Sequence, residues 1–160
     1  MLTLLTACAS TDGSKLVPGQ STAADVEAAM GGRPAEKRSV AGGETIYFYP
    51  HLPWGYATYA ARIGPDGKLV AVEQRLTEKN IALLKPGATR AQEVRDLLGP
   101  PFEPMKQALS GNEIWTYPMR IAGNPTPKWF LAHVSPDGVL VESYLIDDPN
   151  YNRHGVLSRP

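Results

Sequence analysis

Leu16-Val17-Pro18-Gly19-Gln20-Ser21 and Leu84-Lys85-Pro86-Gly87-Ala88-Thr89 are two versions of one phrase, 68 residues apart. At the same offset Val26 and Met30 fall on Val94 and Leu98, and Gly31 falls on Gly99. Ile46-Tyr47-Phe48-Tyr49-Pro50 then falls on Ile114-Trp115-Thr116-Tyr117-Pro118. Further on the offset becomes 71, where Pro65-Asp66-Gly67-Lys68-Leu69-Val70 meets Pro136-Asp137-Gly138-Val139-Leu140-Val141. A match that survives this far is an internal duplication, and a duplication decides the architecture before any single element does.

Each block of the repeat has a local physical meaning. In the first copy Thr22 followed by Asp25 has capping-box spacing, with Ser21 as an alternative cap; in the second, Thr89 followed by Gln92 has the same spacing. Val26, Ala29 and Met30, or Val94, Leu97 and Leu98, then stand at i, i+3 and i+4 and form one apolar stripe on a helix of about three turns. Gly31 and Gly99 suit the left-handed position that ends a helix, and Pro34, Pro100 and Pro101 prevent it from resuming. A helix this short needs a surface to lie on.

Aromatic-rich strands over 44–49 and 112–117 supply that surface, with Pro50 and Pro118 expected at their ends. Second strands are expected over 56–63 and 128–135. Each turns through Pro-Asp-Gly into a third strand, over 68–76 or 139–146. The fold class expected is therefore α+β: two tandem units, each a short helix or helix pair packed on a three-stranded antiparallel meander. A second short helix is expected over 77–84, with Ile81 and Leu84 inward. The organisation expected is a leader at 1–8, a tether at 9–15, a first unit at 16–76, a second at 77–146 and a polar tail at 147–160.

Composition narrows the function. Sixteen basic residues balance sixteen acidic ones without a block of either sign, so the electrostatics of nucleic-acid binding have no source. No run approaches the roughly 18 apolar residues of a membrane span. The fifteen Gly and fifteen Pro lie between apolar runs and act as turn punctuation. The histidines His51, His133 and His154 are scattered without metal-ligand spacing. Asp66 and Asp137 are explained by their turns. The segment Asp147-Asp148-Pro149-Asn150 carries oxygen ligands but lacks the spacing and glycine of a calcium loop, and a solvated tail is the expectation there. No cofactor or catalytic set is expected, and an enzyme is not.

The amino-terminal Leu5-Thr6-Ala7-Cys8 resembles a bacterial lipobox. The resemblance implies cleavage before Cys8, a diacylglyceryl group on its sulfur and an acylated new amino terminus. Several acyl chains, at about 0.8 kcal/mol per buried methylene, hold a soluble domain stably on a membrane. Neither Lys nor Arg precedes Cys8, so the leader reads as a truncated signal; the plain alternative is an incidental thiol. Ala9 in place of an inner-membrane retention aspartate points to the periplasmic face of the outer membrane.

The Lys-Pro-Gly loop, capped helix, Gly-Pro-Pro stop and Trp-x-Tyr strand of 85–117 resemble the BamE-like (SmpA/OmlA) lipoprotein family. The matching residues are Gly87, Thr89, Val94, Leu98, Gly99, Pro101, Trp115 and Tyr117. The first copy has Tyr47 for the tryptophan and Gly32-Arg33-Pro34 for the stop. This resemblance implies a lipid-anchored accessory in outer-membrane assembly or envelope integrity, with the β-barrel assembly machine or other envelope proteins as partners. The tandem layout is also similar to the β-lactamase inhibitory proteins, which implies instead a periplasmic inhibitor of a hydrolase. For either, the partner-binding candidates are Trp54, Tyr56 and Tyr59 in the first copy and Trp129 in the second, since Trp and Tyr are enriched at binding hot spots.

Overall fold

The computed structural model describes residues 13–151; Cys8, the lipobox-like stretch before it and His154 lie outside them. The expectation of three-stranded meanders is overturned, because the chain forms two four-stranded antiparallel sheets with strand orders β1-β2-β3-β4 and β5-β6-β7-β8. Of the described residues only about 14% are helical, so they are mostly β. The strands are β1 (Glu36–Ser39), β2 (Thr45–Pro50), β3 (Thr58–Ile63), β4 (Leu69–Gln74), β5 (Phe102–Lys106), β6 (Glu113–Met119), β7 (Lys128–Val134) and β8 (Leu140–Asp147). Helices α1 (Ala23–Ala29), α2 (Glu78–Ile81) and α3 (Ala91–Leu98) complete it.

The two added strands, β1 and β5, are the first of each sheet. Glu36-Lys37-Arg38-Ser39 has no apolar residue to mark it, and Phe102-Glu103-Pro104-Met105-Lys106 contains a proline; both are compositions tolerated at a sheet edge. Of the two prolines expected to end strands, Pro50 does so as the last residue of β2, while Pro118 lies inside β6.

The shared Pro-Gly phrase finds its reason in backbone pairing. In the first sheet Gly19 N–H donates to the Leu69 carbonyl at 2.7 Å and Leu69 N–H donates to Ser21 at 2.8 Å. In the second, Gly87 donates to Leu140 at 2.7 Å and Leu140 to Thr89 at 2.9 Å. Each loop thus laces the helix start to the first residue of the last strand, with Gly19 at φ 76° and Gly87 at φ 81° making the bend that a side chain would disfavour.

Two compact units result. Among the described residues, one comprises 13–49 with Tyr59–Glu73; the other comprises Pro50–Thr58 with 74–151. In the first, Thr22 and Asp25 form the expected capping box, and α1 lays the fully buried Val26 and Met30 on Tyr49, Ala61, Ile63 and Leu69. Lys37, opposite Tyr47 in the β1–β2 ladder, lies 4.2 Å over that ring and pairs with Glu27 of α1 at 2.8 Å. The alternate residues Ile46, Phe48 and Ala60 form a separate cluster with Val40.

In the second unit Val94 and Leu98 of α3 pack on Trp115, Tyr117 and Met119 of β6, on Phe130, Ala132 and Val134 of β7, and on Leu140. Leu76, Leu84 and Ile81 from the α2 region join the same core. Full burial of each such aliphatic side chain contributes roughly 1.5–3 kcal/mol, which is how an eight-residue helix is held. The expected cap pair is shifted by one residue: Arg90 is the N-cap, and its N–H donates to the Glu93 carboxylate at 2.6 Å. Thr89 instead closes the preceding loop, accepting from Lys85 N–H at 2.8 Å, as Ser21 does from Val17 at 2.9 Å.

Candidate functional site

The segment between β2 and β3, Pro50–Thr58, belongs to the second compact unit and carries two of the four aromatic candidates. Its chain reversal is tight. His51 N–H donates to Ala57 at 2.8 Å and Gly55 N–H donates back to His51 at 2.7 Å. A Cβ on Gly55 would stand 2.4 Å from the His51 carbonyl oxygen, so only glycine closes this loop without displacement. The Leu52–Pro53 peptide is cis. Leu52 packs on the second unit's core while Trp54, at the tip, is 64% exposed.

Tyr56 faces the other way. It is buried, at φ 49°, a conformation uncommon for a bulky residue and sustained only by firm surroundings. Its hydroxyl donates to Asp148 Oδ2 at 2.8 Å, and the Arg120 guanidinium lies 4.9 Å from its ring centroid. Burial above all, together with the bond to Asp148, pushes the Tyr56 phenol up to about 12. At neutral pH it is a permanent donor.

Asp148 is 5% exposed and is the residue on which this arrangement converges. Besides the Tyr56 hydroxyl it accepts from Asn150 N–H at 2.8 Å. Its own N–H donates to Pro127 at 2.9 Å, and its carbonyl accepts from Tyr151 at 3.1 Å. The expected solvated tail therefore does not begin at Asp147. That residue closes β8 and pairs with Lys128, and Asp148 ties together the Pro50–Thr58 loop, the segment before β7 and the chain after β8. Asp148 and Arg120 are the members that sequence reasoning missed. The signal for Asp148 was Asp148-Pro149-Asn150, an Asx-turn composition.

Trp129 lies on β7, half-buried, opposite Pro118 of β6 and Ile146 of β8, and its buried indole N–H has no partner among the described residues. It is two residues from Pro127, whose carbonyl Asp148 holds, so Trp129, Tyr56 and Trp54 all belong to one end of the second unit. Tyr59 does not join them: it lies on β3 in the first unit, packed against that unit's core. Tyr56 is a support and Trp54 is the side chain offered to solvent. Elsewhere His133 is buried against the Tyr144 ring, 3.2 Å from its hydroxyl. Among the described residues no three His, Cys, Asp or Glu side chains gather as a metal site.

No family model matches the chain. No curated protein matches it either. Among solved structures it is similar to YjgB, a DUF4309 family protein from Bacillus subtilis, with 19% identity over 84% of each chain and a TM-score of 0.33. That score is too low to carry fold or function across.

Proposed function

We propose that this chain is a non-enzymatic protein-binding accessory of the bacterial cell envelope, held on the periplasmic face of the outer membrane by an acylated Cys8. The observation that carries the binding role is Trp54, a large aromatic side chain 64% exposed at the tip of a loop whose base is fixed by Gly55, Tyr56 and buried Asp148. A pre-ordered indole binds a partner with little further entropy to lose, which is why such residues dominate interface energetics. The address rests on Leu5-Thr6-Ala7-Cys8, and the expectation of an envelope-assembly partner on the BamE-like pattern of 85–117.

Affinity capture from detergent-solubilised envelopes tests this reading. The wild-type chain recovers an outer-membrane assembly component, and Trp54→Ala loses it while keeping its thermal transition. Recovery of no envelope protein overturns the role. Labelled palmitate enters the product of a gene carrying an intact signal and is absent from Cys8→Ala; no label in the former overturns the anchor. An exposed aromatic loop is also what an enzyme inhibitor inserts into a cleft. Under that second reading the chain binds one soluble periplasmic hydrolase at nanomolar concentration, and Trp54→Ala weakens that instead.

A further inference from the structure

Sheet edges in this protein are guarded unequally. The β1 edge is four residues long and reads Glu36-Lys37-Arg38-Ser39. The β5 edge contains Pro104 and Lys106, breaks register between Phe102 and Met105, and holds Glu103 at φ 42°. β4 has six residues and ends in Glu73 and Gln74. Short length, charge, proline and bulges are the devices that prevent a sheet from adding another strand. β8 carries fewer of them than β1 and β5. It is the longest described strand, eight residues without proline or lysine, with acidic groups at Glu142 and Asp147 and one register shift, at Val141 beside its start. It leaves Val141, Tyr144, Leu145 and Ile146 each 38–43% exposed.

Among the described residues only its first is occupied on the outer side, where Leu140 exchanges both backbone bonds with Gly87 and Thr89. Beyond Leu140, no described strand pairs with the outer side of β8. Beyond that shift the strand pairs inward with β7 residue for residue over 142–147, and its side chains there alternate between the two faces of the sheet, so the exposed Tyr144, Leu145 and Ile146 flank the edge both above and below.

We propose that this edge is a self-association surface, on which a second copy of the chain pairs antiparallel through residues 141–147 and joins two four-stranded sheets into one of eight. Two-fold symmetry about an axis normal to the sheet requires facing residues to share a face, so the axis passes through a residue. Centred on Ser143, the pairing sets Val141 against Leu145 of the other copy and Glu142 against Tyr144. Centred on Tyr144, it sets Glu142 against Ile146 and Ser143 against Leu145. In both registers Glu142 avoids its own symmetry mate, so the strand's charge does not oppose itself, and in the Ser143 register two aliphatic groups, Val141 and Leu145, meet across the axis. Self-complementarity of this kind is what an isologous dimer requires. A single strand pair buries less than the roughly 1,200 Å² of a standard stable interface, which sets the dimer in the micromolar range.

Sedimentation equilibrium of the full chain carrying Cys8→Ser, which removes acyl-driven assembly, tests the proposal. The chain dimerises with a dissociation constant between about 1 and 100 μM. The pair Val141→Lys and Leu145→Lys, at exposed positions that leave the fold intact by circular dichroism, weakens it more than tenfold. In the same background Ser143→Cys or Tyr144→Cys oxidises to a covalent dimer, identifying the register, while Leu83→Cys, an exposed control, does not. A chain monomeric at about 500 μM overturns the proposal. So does a dimer insensitive to the lysines, cross-linking no faster than at Leu83, or a monomer whose β8 captures an extended peptide of another protein.

Discussion

Asp148 ties distant parts of the second unit together, because its carboxylate is buried and its satisfaction depends on a hydroxyl 92 positions away in the chain. Replacing Tyr56 by Phe removes that donor and leaves the oxygen dry, at a cost of about 1–3 kcal/mol in urea unfolding at pH 7. Alkaline titration gives an independent check. The phenols of Tyr49 and Tyr56 are both pushed up to about 12, chiefly by burial. A phenol raised in the folded state contributes its stability fully below the unfolded value near 10 and loses it as pH climbs through the folded value. Unfolding free energy therefore falls between about pH 10 and 12, and in Tyr56→Phe the slope over that window becomes shallower. Trp54→Ala behaves oppositely, shifting stability by less than about 0.5 kcal/mol.

The two copies differ at the helix starts in a way that makes a paired prediction. Thr22 and Asp25 satisfy two backbone N–H groups reciprocally, so Thr22→Ala costs about 1 kcal/mol. Arg90 supplies no capping oxygen, and Glu93 does half the work alone. Arg90→Thr completes the box and adds about 0.5–1 kcal/mol, read as a higher thermal midpoint.

Caps, turns and inner strands were legible because their signals are local. Thr22 caps within three residues, Gly67 and Gly138 complete Pro-Asp-Gly turns at φ 78° and 76°, and the aromatic alternation of 45–49 needs no knowledge of its partner. The first edges, β1 and β5, were not legible. Glu36–Ser39 is a strand because β2 lies beside it, and nothing in its composition says so. Tyr56 read as a binding aromatic because its hydrogen-bond partner lies across the whole second copy; Tyr59 did so because its packing is tertiary. Of the aromatic quartet, only Trp54 has the exposure that its sequence context suggested.

At the scale of the molecule, the compact units do not follow the repeat boundary. A fragment beginning at Thr77 keeps the second copy entire yet lacks Leu52, which packs on its core, and Tyr56, which holds its Asp148. Expressed alone, residues 77–160 give collapsed amide dispersion in heteronuclear NMR, while the intact chain is well dispersed. Adding a peptide spanning 50–58 restores part of that dispersion.

That loan of nine residues, Pro50–Thr58, has a consequence for descent. A fresh tandem duplicate is modular, and recombination can drop, swap or multiply its halves without harm. Once one half lends a loop to the interior of the other, a crossover between them yields products missing a structural part, and selection removes them. The two copies are then free to diverge in sequence and bound to be inherited together.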